Sequence, residues 1–193
     1  MLGRTVLLSV VILAAFAAVL FAMGRVPICT CGFVELWHGV TPSAENSQHL
    51  SDWYSFSHVI HGFAFYGILW WFSRRRGWSL GFRFLLALLL EVGWEIFENS
   101  PFIVNRYRAV TVSFDYYGDS IVNAVGDVLF MALGFLLAAR LPVWAIVALT
   151  IAMEVGVAMV IRDNLTLNII MLLFPLEAIR RWQLGSPPPS LGP

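Results

Sequence analysis

Charge is scarce in this sequence: Asp, Glu, Lys and Arg make up 12% of 193 residues, against 59% hydrophobic ones. A soluble domain of ordinary composition carries roughly 25% charged residues and about half apolar ones. That shortfall excludes an ordinary water-soluble globule and points to lipid as the medium. Formal net charge is zero, so the attraction that drives nucleic-acid binding is missing. Two cysteines, Cys29 and Cys31, are too few for a disulfide framework. There is no internal repeat, no soluble domain and no H-E-x-x-H zinc signature. Hydroxyls such as Ser55, Ser57 and Ser120 stand in no recognised nucleophile elbow.

Long apolar runs fill the space that charge leaves. A helix needs about 20 residues to cross a hydrocarbon core. Five stretches qualify: Thr5–Met23, Trp53–Ser73, Trp78–Phe97, Ile121–Ala139 and Val143–Ile161. A sixth, Leu165–Trp182, contains Asn168 and Pro175 and reads as a tilted or kinked crossing. The expected fold is all-α, a polytopic transmembrane bundle of about six helices, or five if the last segment is re-entrant. It forms a single domain over residues 1–184, with outer loops at 24–52 and 98–120 and a disordered Pro-rich tail at 185–193. The first run is long for a secretory signal and reads as an uncleaved anchor.

All twelve basic residues are arginine. Six crossings with a cytoplasmic N-terminus leave eight of them inside, anchored by Arg74–Arg76, and four outside: Arg25, Arg106, Arg108 and Arg162. The chain is therefore expected in the bacterial inner membrane, multi-pass, with both termini cytoplasmic. If the last segment does not cross, the split becomes six to six and the bias vanishes.

That topology gathers polar side chains at the outward ends of three helices. Tyr54, His58 and His61 share one helix face, as do Glu91, Glu95 and Glu98 on the next helix. Asp119, Asn123 and Asp127 stack in the same way on the helix after them. A charged residue at a helix centre costs on the order of 2.5–3.5 kcal/mol. Glu91, Glu95, Asp127 and Glu154 lie inside spans, so they must be protonated, paired, metal-bound or facing a water-filled cavity. An outward-facing pocket accounts for three such stripes better than scattered helix-to-helix hydrogen bonds, which are worth about 0.6 kcal/mol each.

The candidate catalytic residues are His58, His61, Glu95, Glu98 and Asp119. A histidine base oriented by a carboxylate activates water or a hydroxyl. Candidate substrate contacts are Arg106, Arg108, Asn123, Asp127, Tyr54 and Glu91, with the two arginines as counter-charges. If a divalent metal is the cofactor, His58, His61 and Glu95 are its ligands, an N/O set suited to zinc or manganese. Cys29-Thr-Cys31 is too tightly spaced for an unstrained bridge and reads as two free or locally packed thiols, with metal or redox roles as alternatives. His38 and His49 are placed to fold over the pocket as a lid, and Glu154 either completes the pocket or pairs structurally.

The stretches C-T-C-G (29–32), L-W-H-G (36–39), E-N-S-Q-H-L-S-D-W-Y (45–54), W-E-I-F-E-N-S-P (94–101) and D-Y-Y-G-D-S-I-V-N (115–123) resemble a family of uncharacterised bacterial integral-membrane proteins. That resemblance implies an inner-membrane location and no assigned activity. The order His58, Glu95 or Glu98, Arg106 or Arg108, then Asp119, Asn123 and Gly126 is more loosely similar to VanZ-like membrane proteins. The extra carboxylates, the second histidine and the long first outer loop depart from that pattern. Two function classes follow: an enzyme acting on an envelope lipid or lipid-linked substrate, and a non-catalytic membrane protein binding a ligand, ion or partner. The bilayer is the one partner the composition requires.

Overall fold

The helices start where a side chain is ready to take the free N–H groups of a first turn. In the computed structural model, which describes residues 2–113 and 115–185, the elements are α1 (Leu2–Ala22), α2 (Ser55–Ser73), α3 (Leu80–Glu98), α4 (Pro101–Val110), α5 (Ile121–Ala138), α6 (Val143–Ile161), α7 (Leu165–Leu173) and α8 (Glu177–Gln183). No strand occurs among the described residues. Ser79, Ser100, Ser120 and Asn164 each accept from a backbone N–H in the first turn of α3, α4, α5 and α7. Pro101 opens α4, where its missing N–H costs nothing. That helix stands inside the segment expected to be a loop.

By length and composition, three helices are apolar enough to cross a membrane: Gly3–Ala22, Ile121–Ala138 and Val143–Ile161. The expected count was about six. At 19 residues each, α2 and α3 match α6 in length. His58 and His61 dilute the hydropathy of α2, and Arg83, Glu91, Glu95 and Glu98 that of α3.

The sixth expected crossing is replaced by a broken hairpin. It divides into α7 and α8, of 9 and 7 residues. At 1.5 Å per residue they are about 14 and 10 Å long, too short to span. Pro175 is the cause: it has no N–H and pushes the residue before it out of the helical region. Phe174 accordingly adopts φ −138° and ψ 81°. The chain then turns back, and Gln183 Nε2 donates to Asp163 Oδ1 (3.0 Å) at the end of α6. α1 starts at the other end of the bundle, with Thr5 against Gly81 at the start of α3. Leu2 and Gln183 therefore lie at opposite ends, where a shared side had been expected. Residues 186–193 of the expected tail lie outside the described residues.

The apolar core forms between α1, α2, α3 and α5, from Phe16, Leu20, Leu69, Leu88, Met131 and Phe135. Apart from Thr150 and Glu154, α6 is apolar all round, and Val157 is its one buried residue. α2 crosses α5 at backbone contact distance. A Cβ on Gly62 would stand 2.2 Å from the Met131 carbonyl oxygen, and one on Gly134 2.1 Å from that of Val59. Small residues at a crossing let two helices approach this closely.

The segment between α1 and α2 folds back as a cap on α5. The N–H groups of Ile121 and Val122 donate to the carbonyls of Val26 (2.8 Å) and Pro27 (3.2 Å). Asn123 Nδ2 donates to the carbonyl of His49 (2.8 Å). The first-turn donors of α5, which have no partner inside the helix, are satisfied in this way. Within the cap Cys29 and Cys31 form a disulfide with a Cα–Cα distance of 5.1 Å. This corrects the expectation of two free thiols.

Gly134→Ala should lower the apparent melting temperature in detergent, because overpacking costs about 1–3 kcal/mol. Gly67→Ala, where an added Cβ meets nothing within 4 Å, should not lower it. A Gly134→Ala protein as stable as wild type would refute the close crossing.

Candidate functional site

At the end where α2 and α5 begin and α3 finishes, the bundle encloses its polar side chains. His58, on the second turn of α2, is 7% exposed, and Glu91 and Glu95 on α3 are 0% exposed. His58 Nδ1 donates to Glu91 Oε1 at 2.6 Å, and His61 Nδ1 lies 3.1 Å from Glu91 Oε2. One carboxylate thus holds both imidazoles. His58 Nδ1 also lies 3.3 Å from Glu95 Oε1, and its Nε2 lies 3.8 Å from Asp127 Oδ2 on α5. Asp127 accepts from the Ser55 hydroxyl (3.1 Å). Glu95 has neither carboxylate oxygen hydrogen-bonded.

Above this floor lies a cavity. His58, His61, Asp127, Glu98 and Asp119 reach it, under a wall that includes Trp94, Tyr107 and Tyr116. No arginine lines it. Burial first, and then the Glu98 charge, push the Asp119 carboxyl up to about 7, although Asn99 Nδ2 (2.6 Å) and the Tyr116 hydroxyl (3.0 Å) donate to it. Burial likewise raises Asp52, which accepts from the N–H groups of Ser47 and Tyr54. Asp163 is pushed up to about 6 by burial, against donors on Tyr54, Asn164, Asn168 and Gln183.

The three stripes therefore meet, but they do not share one role. Glu91 sits behind the histidines, away from the cavity. Tyr54 lines the cavity and spends its hydroxyl on Asp163 (2.9 Å). Asn123 ties the α1–α2 segment to α5 and lies outside the cavity lining. Arg106 and Arg108 do not act as counter-charges to the acids: their guanidinium groups donate to the carbonyls of Leu172 (2.9 Å) and Tyr116 (2.6 Å). Arg106 thereby closes the end of α7, which α4 packs against. Glu154 is structural, accepting from the N–H groups of Leu165 (3.1 Å) and Thr166 (3.0 Å) at the start of α7. His38 and His49 form no lid. His49 is 1% exposed, bonded to the Glu35 N–H and to Glu45. Asn46 and Ser47 of the same segment reach the cavity instead.

Two overlapping groups have ligand atoms close enough to hold a cation: His58 with His61 and Glu91, and His58 with Glu95 and Asp127. The expected set of His58, His61 and Glu95 is thus divided between them. Sequence reasoning missed Asp52, Asn99 and Asn168 as supporting groups. Asp52 stands directly before α2 in Ser51-Asp-Trp-Tyr54, and Asn99 directly after Glu98, so helix-end position was the signal available.

A family model described as "Protein of unknown function (DUF2585)" matches residues 20–185. The chain belongs to this family. A UPF0314 protein of Paracoccus denitrificans (strain Pd 1222) is 58% identical over 174 residues, covering 90% of this chain and 88% of that protein. A UPF0314 protein of Rhizobium meliloti (strain 1021) is 54% identical, over 90% of this chain and 87% of its own. One of Sphingopyxis alaskensis is 53% identical, over 93% and 94%. No solved structure matches.

In this DUF2585 protein the raised Asp119 has a measurable consequence. The folded state holds the Asp119 proton more tightly than the unfolded chain, whose carboxyl titrates near 3.8. The resulting stabilisation is complete below that value and is lost as pH rises toward about 7. The unfolding midpoint of wild type minus that of Asp119→Asn should therefore fall between about pH 5 and pH 7 and level off above. A difference that stays flat over the same interval would show that Asp119 is already ionised when folded.

Proposed function

We propose that the protein is a multi-pass inner-membrane protein whose outward-facing pocket takes an envelope lipid or lipid-linked substrate and works on it by acid–base chemistry centred on His58. The observation that carries this reading is the Glu91–His58 contact at 2.6 Å. A carboxylate on Nδ1 fixes the ring and its tautomer. That leaves Nε2, next to Asp127, to take a proton from water or a substrate hydroxyl in the cavity. Trp94 and Leu165 beside this polar floor suit a ligand with an apolar part.

Five crossings fit the packing. α2 and α3 lie against α1 and α5 and turn their acids and histidines inward, where polar residues in membrane helices belong. With the last segment re-entrant, the arginines divide six to six and give no orientation. The disulfide supplies one: Cys29–Cys31 lies in the segment that caps the pocket end, and disulfides persist in oxidising compartments outside the cytoplasm. The looser VanZ-like likeness agrees in position, since His58, Glu95 and Asp119 all lie at this end.

In a protein with Cys29→Ser and Cys31→Ser, single cysteines at Asp115 and Leu184 should react with an impermeant thiol reagent added to intact spheroplasts. A cysteine at Arg75 should react only after lysis. Protection at Asp115 would overturn the orientation, and protection at Leu184 alone would restore a sixth crossing. For the chemistry, lipid and envelope profiles of a deletion strain should show a species that accumulates equally with no gene and with His58→Gln, and returns to normal with wild type. Full rescue by His58→Gln would replace catalysis with binding.

A further inference from the structure

Glu95 presents a problem that the chain's own residues do not solve. Its side chain is fully buried and neither oxygen accepts a hydrogen bond. The nearest donor, His58 Nδ1 at 3.3 Å, gives its single hydrogen to Glu91 at 2.6 Å. The chain has no lysine. Arg25, Arg106, Arg108 and Arg162 donate to the carbonyls of Tyr117, Leu172, Tyr116 and Trp182 respectively. An unpaired buried carboxylate is costly. Asp127, 4% exposed and close by, adds a second negative group served only by the Ser55 hydroxyl and the edge of His58.

We propose that His58, Glu95 and Asp127 are the ligands of one divalent transition-metal ion of the zinc and manganese class. One nitrogen of His58 and one oxygen each of Glu95 and Asp127 lie within 4.8 Å of one another, contributed by three different helices. Ligands 2.0–2.1 Å from a tetrahedral zinc stand about 3.4 Å apart, so side-chain rotation of this order closes the set around an ion. A mixed imidazole and carboxylate set favours zinc or manganese over calcium or magnesium, which take oxygen donors alone. Glu91 falls into a supporting place. Metal-bound histidines characteristically donate their other ring N–H to a carboxylate, and Glu91 accepts from His58 Nδ1. Nε2 is then the ligating atom. Three protein ligands leave a position open to water or substrate, as in catalytic zinc sites. His58 and Asp127 both border the cavity, so that position faces it. The ion would also supply the positive charge that the arginine-free wall lacks, and with it an attraction for a phosphorylated or carboxylated headgroup.

The inference rests on the pocket reading for where the open position faces and revises one role in it: with an ion bound, His58 Nε2 would be a ligand and not the base, and the ion would supply the activation of water. Its test reads metal and melting temperature, so it can fail while the envelope phenotype stands, and the reverse. Full-length protein purified in detergent without chelator should carry about one zinc or manganese per chain by mass spectrometry. After stripping, added zinc should raise the melting temperature of wild type, since a ligand that binds only the folded state stabilises it. Glu95→Gln and Asp127→Asn should lose the bound metal and the zinc-dependent shift. Stripped Glu95→Gln should melt no lower than stripped wild type, because it removes an uncompensated charge, and that separates a lost site from a lost fold. Glu45→Gln, in the α1–α2 segment, should keep both responses. Wild type with no bound metal and no shift would overturn the proposal. So would Glu95→Gln and Asp127→Asn proteins that keep the shift, which would place the ion elsewhere, or a stripped Glu95→Gln that melts well below stripped wild type.

Discussion

The structure depends on how it neutralises negative charge that its helices have carried out of water. Four acids, Glu91, Glu95, Asp119 and Asp127, are almost wholly buried at one end of a bundle with no lysine. The central device is a single carboxylate, Glu91, that receives both His58 and His61. Everything near it is arranged to bring α2 and α3 close enough for that contact. The glycine crossing of α2 on α5 is part of the same arrangement. By removing side-chain bulk at Gly62 and Gly134, it sets the depth at which the histidines face α3.

The segments outside the long helices do the work that charge pairing does in soluble proteins. The α1–α2 segment supplies carbonyls to the start of α5, and Gln48 reaches the Gly118 carbonyl (2.8 Å) to hold the turn before it. Asp163 collects Tyr54, Asn168 and Gln183, so one carboxylate joins α2, α7 and α8. Arg25, Arg106 and Arg108 go to backbone carbonyls. Because these cations close loops and helix ends, none is left to face the cavity, and the pocket is acidic for an architectural reason.

This explains which parts of the molecule were legible in the sequence. Helical periodicity placed Tyr54, His58 and His61 on one face, and Glu91, Glu95 and Glu98 on another, because side-chain direction in a helix follows from spacing alone. What spacing does not encode is which neighbour each group meets. Arg106 and Arg108 look like counter-charges by proximity in the chain. The end of α7, 66 residues away from Arg106, was the stronger claimant because its carbonyls had no other partner. Glu154 deceived in the opposite direction, since an acid two turns inside a span suggests a pocket while its oxygens serve the N–H groups of a helix beginning eleven residues later. The sixth crossing failed because hydropathy summed over residues 165–182 ignores one missing N–H at Pro175, which is enough to end a helix.

The broken hairpin and the acidic pocket are linked. A sixth full-length helix would carry the chain away from the pocket end and leave Asp163 without Gln183. By turning back at Pro175, the chain instead returns polar groups to the end where buried acids need donors, and it sets Leu165 and Asn168 of α7 in the cavity wall. A short helix held by Glu154 at its start and Arg106 at its finish is anchored by two ionic contacts to backbone. Neither contact requires the pocket to be occupied. The α7 side of the cavity wall is thus fixed independently of the floor.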